Sequence, residues 1–379
     1  MTSHLLLHLS LIPGIGPATI KRLLETELSD DTFYRFSVVD FQVQFQVSEN
    51  SAQLLVTGLA DKKLLEAELQ LLEKHNIAYI TINDVHYPPL LKNIHYPSPI
   101  LYVQGALLPE MKFLAMVGSR KADHYGKRII TTLMPDLVAS DLVLVSGGAI
   151  GADTLVHEET LRCGGKTIAV IGSGLLRPYP SSNRRLFEKI VEQGGAILSP
   201  FHLTMQALPG NFPARNRIIA GMSFGCVVIQ AAIQSGALIT ARYALDEGRH
   251  VYTVPGYFDD PLSAGCHILL GQGANIVTNS ADILKSLQEN GITLTQYKPE
   301  DEQKPPLISP ARKEPLIERV PTESENPLVE LCRKPQSLDD LIDATGLSIA
   351  ALSTQLFELQ LEGKVEQDFN GAWKQKKGF

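Results

Sequence analysis

The densest concentration of chemically capable side chains in this 379-residue chain is the run Gly210-Asn211-Phe212-Pro213-Ala214-Arg215-Asn216-Arg217-Ile218-Ile219-Ala220-Gly221. Arg215, Asn216 and Arg217 fall at or near the start of an apolar helical stretch. Two guanidiniums there reinforce the positive end of the helix dipole, which is unfavourable unless an anion lies close by. Phosphate groups would supply that anion. Pairing with carboxylates is the alternative, and Asp153, Glu158 and Glu159 are the obvious candidates. Phe212, beside the arginines, can stack a base or fill a core.

Glycine-rich turns accompany this run. In Val117-Gly118-Ser119-Arg120, Gly118 lets backbone approach a ligand, Ser119 can donate or cap, and Arg120 can fork onto a phosphate. Ser146-Gly147-Gly148-Ala149-Ile150-Gly151 opens a helix, where free N–H groups can take up an anion. Asp153, in that helix's first turn, reads as a dipole partner before a catalytic acid. Gly172-Ser173-Gly174 matches only part of a dinucleotide fingerprint, because Arg177 stands at the third glycine position. Gly165-Lys166-Thr167 fails as a phosphate-binding loop of the Walker type: Thr160 replaces its first glycine and a strand follows where a helix should. Cys163, Cys226, Cys266 and Cys332 have neither zinc nor disulfide spacing, and His75, His86, His95 and His157 stand apart from any metal-ligand set. Neither a cofactor nor a metal is expected.

These turns need a scaffold. Over residues 111–295, aliphatic runs at Phe113–Val117, Leu142–Ser146, Thr167–Gly172, Ala196–Ser199, Cys226–Gln230 and His250–Val254 alternate with helical stretches such as Tyr125–Ala139, Asp153–Arg162 and Ala237–Glu247. Such alternation predicts an α/β fold, a Rossmann-like, doubly wound, mainly parallel sheet that binds ligands at the carboxyl ends of its strands. Residues 1–110 read as a small helical domain. There Pro13-Gly14-Ile15-Gly16-Pro17 between two apolar helices has the shape of a helix-hairpin-helix or of a plain αα-hairpin. Residues 296–326 form a proline-rich, charged linker. Residues 327–379 read as a winged-helix-like unit. Ser337-Leu338-Asp339-Asp340 opens one helix and Gly346 closes it, Ser348 caps a second helix through Leu361, and Val365-Glu366-Gln367 and Ala372-Trp373-Lys374 form a wing after Gly363.

The formal net charge of −7 argues at first against a nucleic-acid binder. Its distribution changes that reading. The first 110 residues carry 7 Lys/Arg against 12 Asp/Glu, residues 111–295 carry 16 against 14, and the remainder 11 against 15. The acidity lies in the flanking modules, and the α/β core is slightly basic. The uncharged stretch from Ile218 to Ala241 is interrupted by Gly221, Ser223, Gly225, Gln230, Gln234, Ser235 and Gly236, and reads as a buried strand with helix ends, not a membrane span. With no basic leader and unpaired cysteines, a cytoplasmic protein is the expectation.

Taken in order, these motifs resemble the DNA-processing protein A family (DprA/Smf). The resemblance rests on Val117-Gly118-Ser119-Arg120, Ser146-Gly147-Gly148-Ala149, Gly151-Ala152-Asp153 with His157, Gly164-Gly165-Lys166-Thr167, Tyr179-Pro180 with Asn183, and Phe212 through Gly221. It continues through Ser235-Gly236-Ala237-Leu238-Ile239-Thr240-Ala241, Gly248-Arg249, Val254-Pro255-Gly256 and Gly265 before Gly273-Ala274, covering about half of the chain. It implies a non-enzymatic single-stranded-DNA binder of natural transformation that protects incoming DNA, helps load a RecA-type recombinase and works as a homodimer. The implied DNA pocket comprises Gly118, Ser119, Arg120, Ser146, Gly147, Gly148, Phe212, Arg215, Asn216 and Arg217. Two positions depart from the family pattern: Ser199-Pro200 stands where Ser-Glu is usual, and Ile229-Gln230-Ala231 where Glu-Ala follows the strand. Each removes a carboxylate near a strand end.

Two other functions compete. A nucleotide hydrolase of the lysine-decarboxylase-like group would need P-G-G-x-G-T and a following Glu, which Pro209-Gly210-Asn211-Phe212 does not supply. A duplex-reading transcription regulator would need basic or amide side chains on its recognition helix, yet Ser348 to Leu361 has no Lys or Arg and only Gln355 and Gln360 as amides. Lys374, Lys376 and Lys377 could touch a DNA backbone from the wing, but protein contact is the favoured role for this unit.

Overall fold

The computed structural model describes residues 1–26, 28–294, 327–334, 336, 338–345, 347, 349–362, 364–367 and 373–375. The chain forms two compact units, Met1–Glu302 and Gln303–Phe379.

A nine-stranded sheet organises the first unit. Its strands are β1 (Ala78–Thr81), β2 (Ile100–Gly105), β3 (Lys112–Val117), β4 (Leu142–Ser146), β5 (Thr167–Val170), β6 (Ala196–Ser199), β7 (Gly225–Val228), β8 (His250–Thr253) and β9 (Asn275–Ile276). They lie in the order β1-β2-β6-β5-β4-β3-β7-β8-β9. All neighbours from β6 to β9 pair in parallel, while β1 and β2 add on antiparallel. The expected Rossmann-like sheet is therefore present. It begins earlier than residue 111, however, because β2 pairs with β6, with Tyr102 opposite Ser199. The N-terminal residues are thus not purely helical, and two of their segments complete the sheet.

The parallel strands are apolar on both faces because helices cover both. Phe113, Ala115 and Val117 of β3 join one core, with Val145, Val170 and Ile218; Leu114 and Met116 join the other, with Ile130, Leu137 and Ile283. Period-two alternation sends successive side chains to opposite cores. Fully burying each of these side chains other than Ala115 is worth about 1.5–3 kcal/mol.

The segments before β1 and between β1 and β2 are tied to the rest of the unit by polar contacts across long sequence separations. The buried Glu68 accepts the N–H of Leu203 at 2.7 Å. Arg249 Nη2 donates to the Leu90 carbonyl at 3.0 Å, and Glu247 accepts the His95 N–H. The glycine turn expected at residues 13–17 joins the helices Ser3–Leu11 and Pro17–Leu24, with Gly14 at φ +86° and Ile15 buried.

The second unit contains the helices Pro327–Leu331, Leu338–Thr345 and Ile349–Leu361 and the antiparallel strands Val365–Gln367 and Trp373–Gln375. Leu328, Cys332, Leu341, Leu352, Leu356 and Trp373 form its core. This is the winged-helix arrangement expected. The linker at 296–326, Ser337, Gly346, Ser348, Gly363, Lys376 and Lys377 lie outside the described residues. Lys374 is paired with Glu366 at 3.2 Å, which lowers its availability to a phosphate.

Candidate nucleic-acid interface

A cleft of about 520 Å³ opens at the carboxyl ends of β3 and β7. The turn after β3 is shaped by its neighbours. Ser119 N–H donates to the Gln230 carbonyl at 2.7 Å, and the Ser119 carbonyl accepts the Ala152 N–H at 3.0 Å. A Cβ on Gly151 would lie 2.5 Å from the Arg120 carbonyl oxygen, and its φ of +88° is a region side chains disfavour. Glycine at 151 therefore lets the turns after β3 and β4 interlock. Gln230 occupies one of the two positions departing from the family pattern. Its side-chain Oε1 accepts the Asp123 N–H at 3.2 Å, so it holds the first turn where a carboxylate would be usual.

The helix Asn211–Met222 carries the arginines. It starts earlier than the run of charges suggests, since Pro213 is accommodated in its first turn, where no backbone N–H is needed. Arg215 and Arg217 consequently lie in the second turn, and the helix dipole does not account for them. Being two residues apart, they also point to different sides. Arg215 is buried, and its Nη1 donates to the Val170 carbonyl at 2.7 Å. A Cβ on Gly147 would be 1.8 Å from Arg215 Nη1 and 2.6 Å from Asp153 Oδ2, so this glycine makes room for the guanidinium and the carboxylate to face each other. Burial pushes the Arg215 pKa down to about 10, with Asp153 opposing and Arg120 adding to the shift. Burial raises the Asp153 pKa, while Arg215 and the Ala149 N–H favour the carboxylate. Behind them is the buried His157. Thr167 Oγ1 donates to the Leu144 carbonyl at 2.7 Å, so its oxygen accepts from His157 Nδ1–H at 2.8 Å. Burial, reinforced by Arg215, holds the His157 pKa at about 3, and the ring is neutral.

Phe212 is half-buried, with the Arg120 guanidinium 5.3 Å and the Arg215 guanidinium 6.0 Å from its ring centre. It lies over Gly172, where a Cβ would approach it to 2.9 Å. Asn216 Nδ2 donates to the Gly236 carbonyl at 3.4 Å. Gly118, Ser119, Arg120, Phe212, Arg215 and Asn216 all line the cleft. Gly147 lines a smaller cavity next to it. Ser146 is buried behind the surface, and Gly148 (φ +64°) packs against Phe187; neither lines the cleft. Arg217 is elsewhere, its guanidinium 5.8 Å from the Tyr96 ring centre and 5.4 Å from that of Tyr243. Sequence reasoning missed Lys121, Ser235 and Gly236, which also line the cleft. Ser235 caps the helix Gly236–Asp246 just after β7, a signal that the strand-end rule could have used. Among the described lining residues, Arg120, Lys121 and Arg215 are cationic and Asp153 is the one acid. The arrangement suits an anion flanked by an aromatic face. No described helix is long and apolar enough to cross a membrane.

Residues 78–288 match the family model described as DNA recombination-mediator protein A, and residues 312–369 match the DprA winged helix domain. The Smf protein of Synechocystis is 34% identical over 95% of this chain and 95% of its own length. The Streptococcus pneumoniae DNA processing protein DprA is 42% identical over 55% of this chain and 73% of its own. The X-ray structure of DprA from S. pneumoniae superposes with a TM-score of 0.66 at 34% identity, covering 75% of this chain and 98% of that one. A structure of DNA processing protein A from Helicobacter pylori, whose subject is its single-stranded-DNA binding mode, gives 0.51 at 28% identity, covering 56% of this chain and 96% of that one.

Proposed function

The chain belongs to the DNA recombination-mediator protein A (DprA/Smf) family, and from that premise we propose that it binds single-stranded DNA in the cleft at the ends of β3 and β7. The observation that carries this reading is that Arg120 and Arg215 both lie within cation–π reach of Phe212, in a cleft with three cations and one acid among its described lining residues. Phosphates meet the guanidiniums, and an unpaired base can reach an aromatic face that a duplex would keep stacked inside. In the cell this binding protects incoming strands during natural transformation and supports loading of a RecA-type recombinase. The protein acts in the cytoplasm. It acts without catalysing a reaction: Asp153, the cleft's one described acid, is buried against Arg215 and accepts the Ala149 N–H at 3.2 Å. A homodimer is the working form. Ile233, Tyr257, Phe258 and Ile268 are exposed near the β7 and β8 loop ends, and Phe258 is 92% exposed, as suits a surface covered by a second copy.

The test is a mobility shift across a salt series, with single strands and a competing duplex. Single strands should bind in preference. Arg120→Ala should flatten the slope of log affinity against log salt by about 0.7, the value of one phosphate contact on a single strand. Phe212→Ala should lower affinity by about 1–3 kcal/mol, the worth of one stacked base. Unchanged affinity and slope in both variants would place binding elsewhere.

A further inference from the structure

Tyr179 is left unused by this reading. It is 49% exposed, yet its ring centre is 6.0 Å from that of Phe212, at an interplanar angle of 57°. Beside the main cleft lies a second cavity of about 30 Å³. Arg120, Ala149, Phe212 and Arg215 line both spaces, whereas Tyr179 and Ile150 line only the smaller one. Phe212 is thus a partition with an open surface on each side. A volume near 30 Å³ is about one water's share of the liquid, so no base is enclosed there. What the far side offers is a ledge, made of the Tyr179 ring and of Ile150, 57% exposed.

The loops that carry the ledge are tied to one another. Asn183 Nδ2 donates to the Gly148 carbonyl at 3.0 Å and to Thr154 Oγ1 at 2.8 Å, and Phe187 packs against Gly148. An aromatic surface held in place loses little freedom when a ligand stacks on it. Two exposed guanidiniums flank it in sequence, Arg177 before and Arg185 after. Arg184 is paired with Glu188 at 3.3 Å, whereas Arg177 and Arg185 have no carboxylate partner among the described residues.

We propose that Tyr179 is a second base-stacking platform. A single strand seated in the main cleft crosses the Phe212 partition and lays its next base on Tyr179 and Ile150, with Arg177 and Arg185 placed to meet the phosphate that follows. The ring separation of 6.0 Å exceeds the roughly 3.4 Å rise of a stacked strand, so the two platforms hold neighbouring bases apart. This inference rests on the single-strand reading above and extends it by one subsite.

The experiment measures fluorescence anisotropy of an oligothymidine with one abasic position moved along its length. The full chain is compared with Tyr179→Ala and Tyr179→Phe, with Arg120→Ala and Phe212→Ala as references for the main cleft. Tyr179→Ala should bind about tenfold more weakly, and Tyr179→Phe close to the unmutated chain. One abasic position should weaken the unmutated chain by a similar factor and leave Tyr179→Ala unaffected. If Arg120→Ala and Phe212→Ala weaken binding but Tyr179→Ala does not, or if every abasic penalty persists in Tyr179→Ala, the platform is refuted and the cleft stands. If neither reference variant weakens binding, the single-strand reading fails and the platform fails with it.

Discussion

Arg217 separates what its position in the sequence suggests from what the fold does with it. Its neighbour Arg215 lines the cleft, but the Arg217 guanidinium is in reach of both Tyr96 and Tyr243, 5.8 and 5.4 Å from their ring centres. Tyr96 belongs to the segment between β1 and β2, and Tyr243 to the helix Gly236–Asp246. Arg217 therefore links the N-terminal part of the unit to the helices beside the cleft. A cation–π contact is worth about 0.5–1 kcal/mol when exposed and about 2 when desolvated. Two contacts on a half-buried guanidinium give about 1–2 kcal/mol in all. Arg217→Ala should lower the unfolding free energy in urea by that amount and leave the salt slope of single-strand binding unchanged. Arg217→Lys should fall between, since an ammonium keeps the charge but not the planar face. Arg120→Ala should differ by losing about 0.7 in slope, with a stability change of at most about 1 kcal/mol, the value of its one exposed contact with Phe212. If Arg217→Ala reduces the slope by about 0.7 and leaves the urea midpoint alone, Arg217 contacts phosphate and the stacking argument is wrong.

Three further outcomes follow from the same geometry. The His157 pKa is held at about 3, below its ordinary 6.5, so the stability tied to its neutral ring is complete above pH 6.5 and is lost as pH falls toward 3. The limiting slope is about 1.4 kcal/mol per pH unit. Urea melts between pH 7 and pH 4.5 should show that loss reduced in His157→Gln, and identical pH profiles would contradict it. Gly147→Ala should displace the Arg215 guanidinium and break its buried bond to the Val170 carbonyl, costing about 1.5–3 kcal/mol. It should also weaken single-strand binding, and a variant melting like the unmutated chain would show that Arg215 relocates freely. If the homodimer proposed above forms through this surface, Phe258→Arg should lower the light-scattering mass from that of a dimer to that of a monomer, and an unchanged mass would exclude this surface from the interface.

The parallel core was legible because its buried strands are short aliphatic runs, nearly all ended by glycine, serine or proline; β7, which runs on into Ile229-Gln230-Ala231, is the exception. β9 was not legible, since Asn275 and Ile276 are both exposed at the sheet edge and show no pattern. β1 and β2 escaped for another reason: they pair with each other, and β2 is anchored to the sheet by β6, over 90 residues away, so tertiary pairing gives both segments their extended form. At the site, Gly118, Ser119 and Arg120 were readable because a turn following a parallel strand faces the ligand side. Arg215 and Arg217 could not be told apart from the charge pattern. Which of them faces the cleft depends on the helix beginning at Asn211, and Pro213 disguised that start. Tyr179 carried a signal in its Tyr-Pro pair after a glycine-rich turn, but its role depends on the place of Phe212, which is set by packing over Gly172.

The antiparallel seam between β2 and β6 decides where this protein can be divided. A chain cut at residue 110 would keep every parallel strand yet leave the edge of β6 bare, from Ala196 to Ser199. All four of those residues are buried in the intact unit. Stripped of β2, they would present unpaired backbone and apolar side chains, a ready template for another copy of the same strand. Such a fragment should aggregate, and a portable version of the cleft must begin upstream of Ala78. In modular terms, the first hundred residues are not an appendage that can be exchanged between proteins, because part of them forms the border that keeps the sheet from growing.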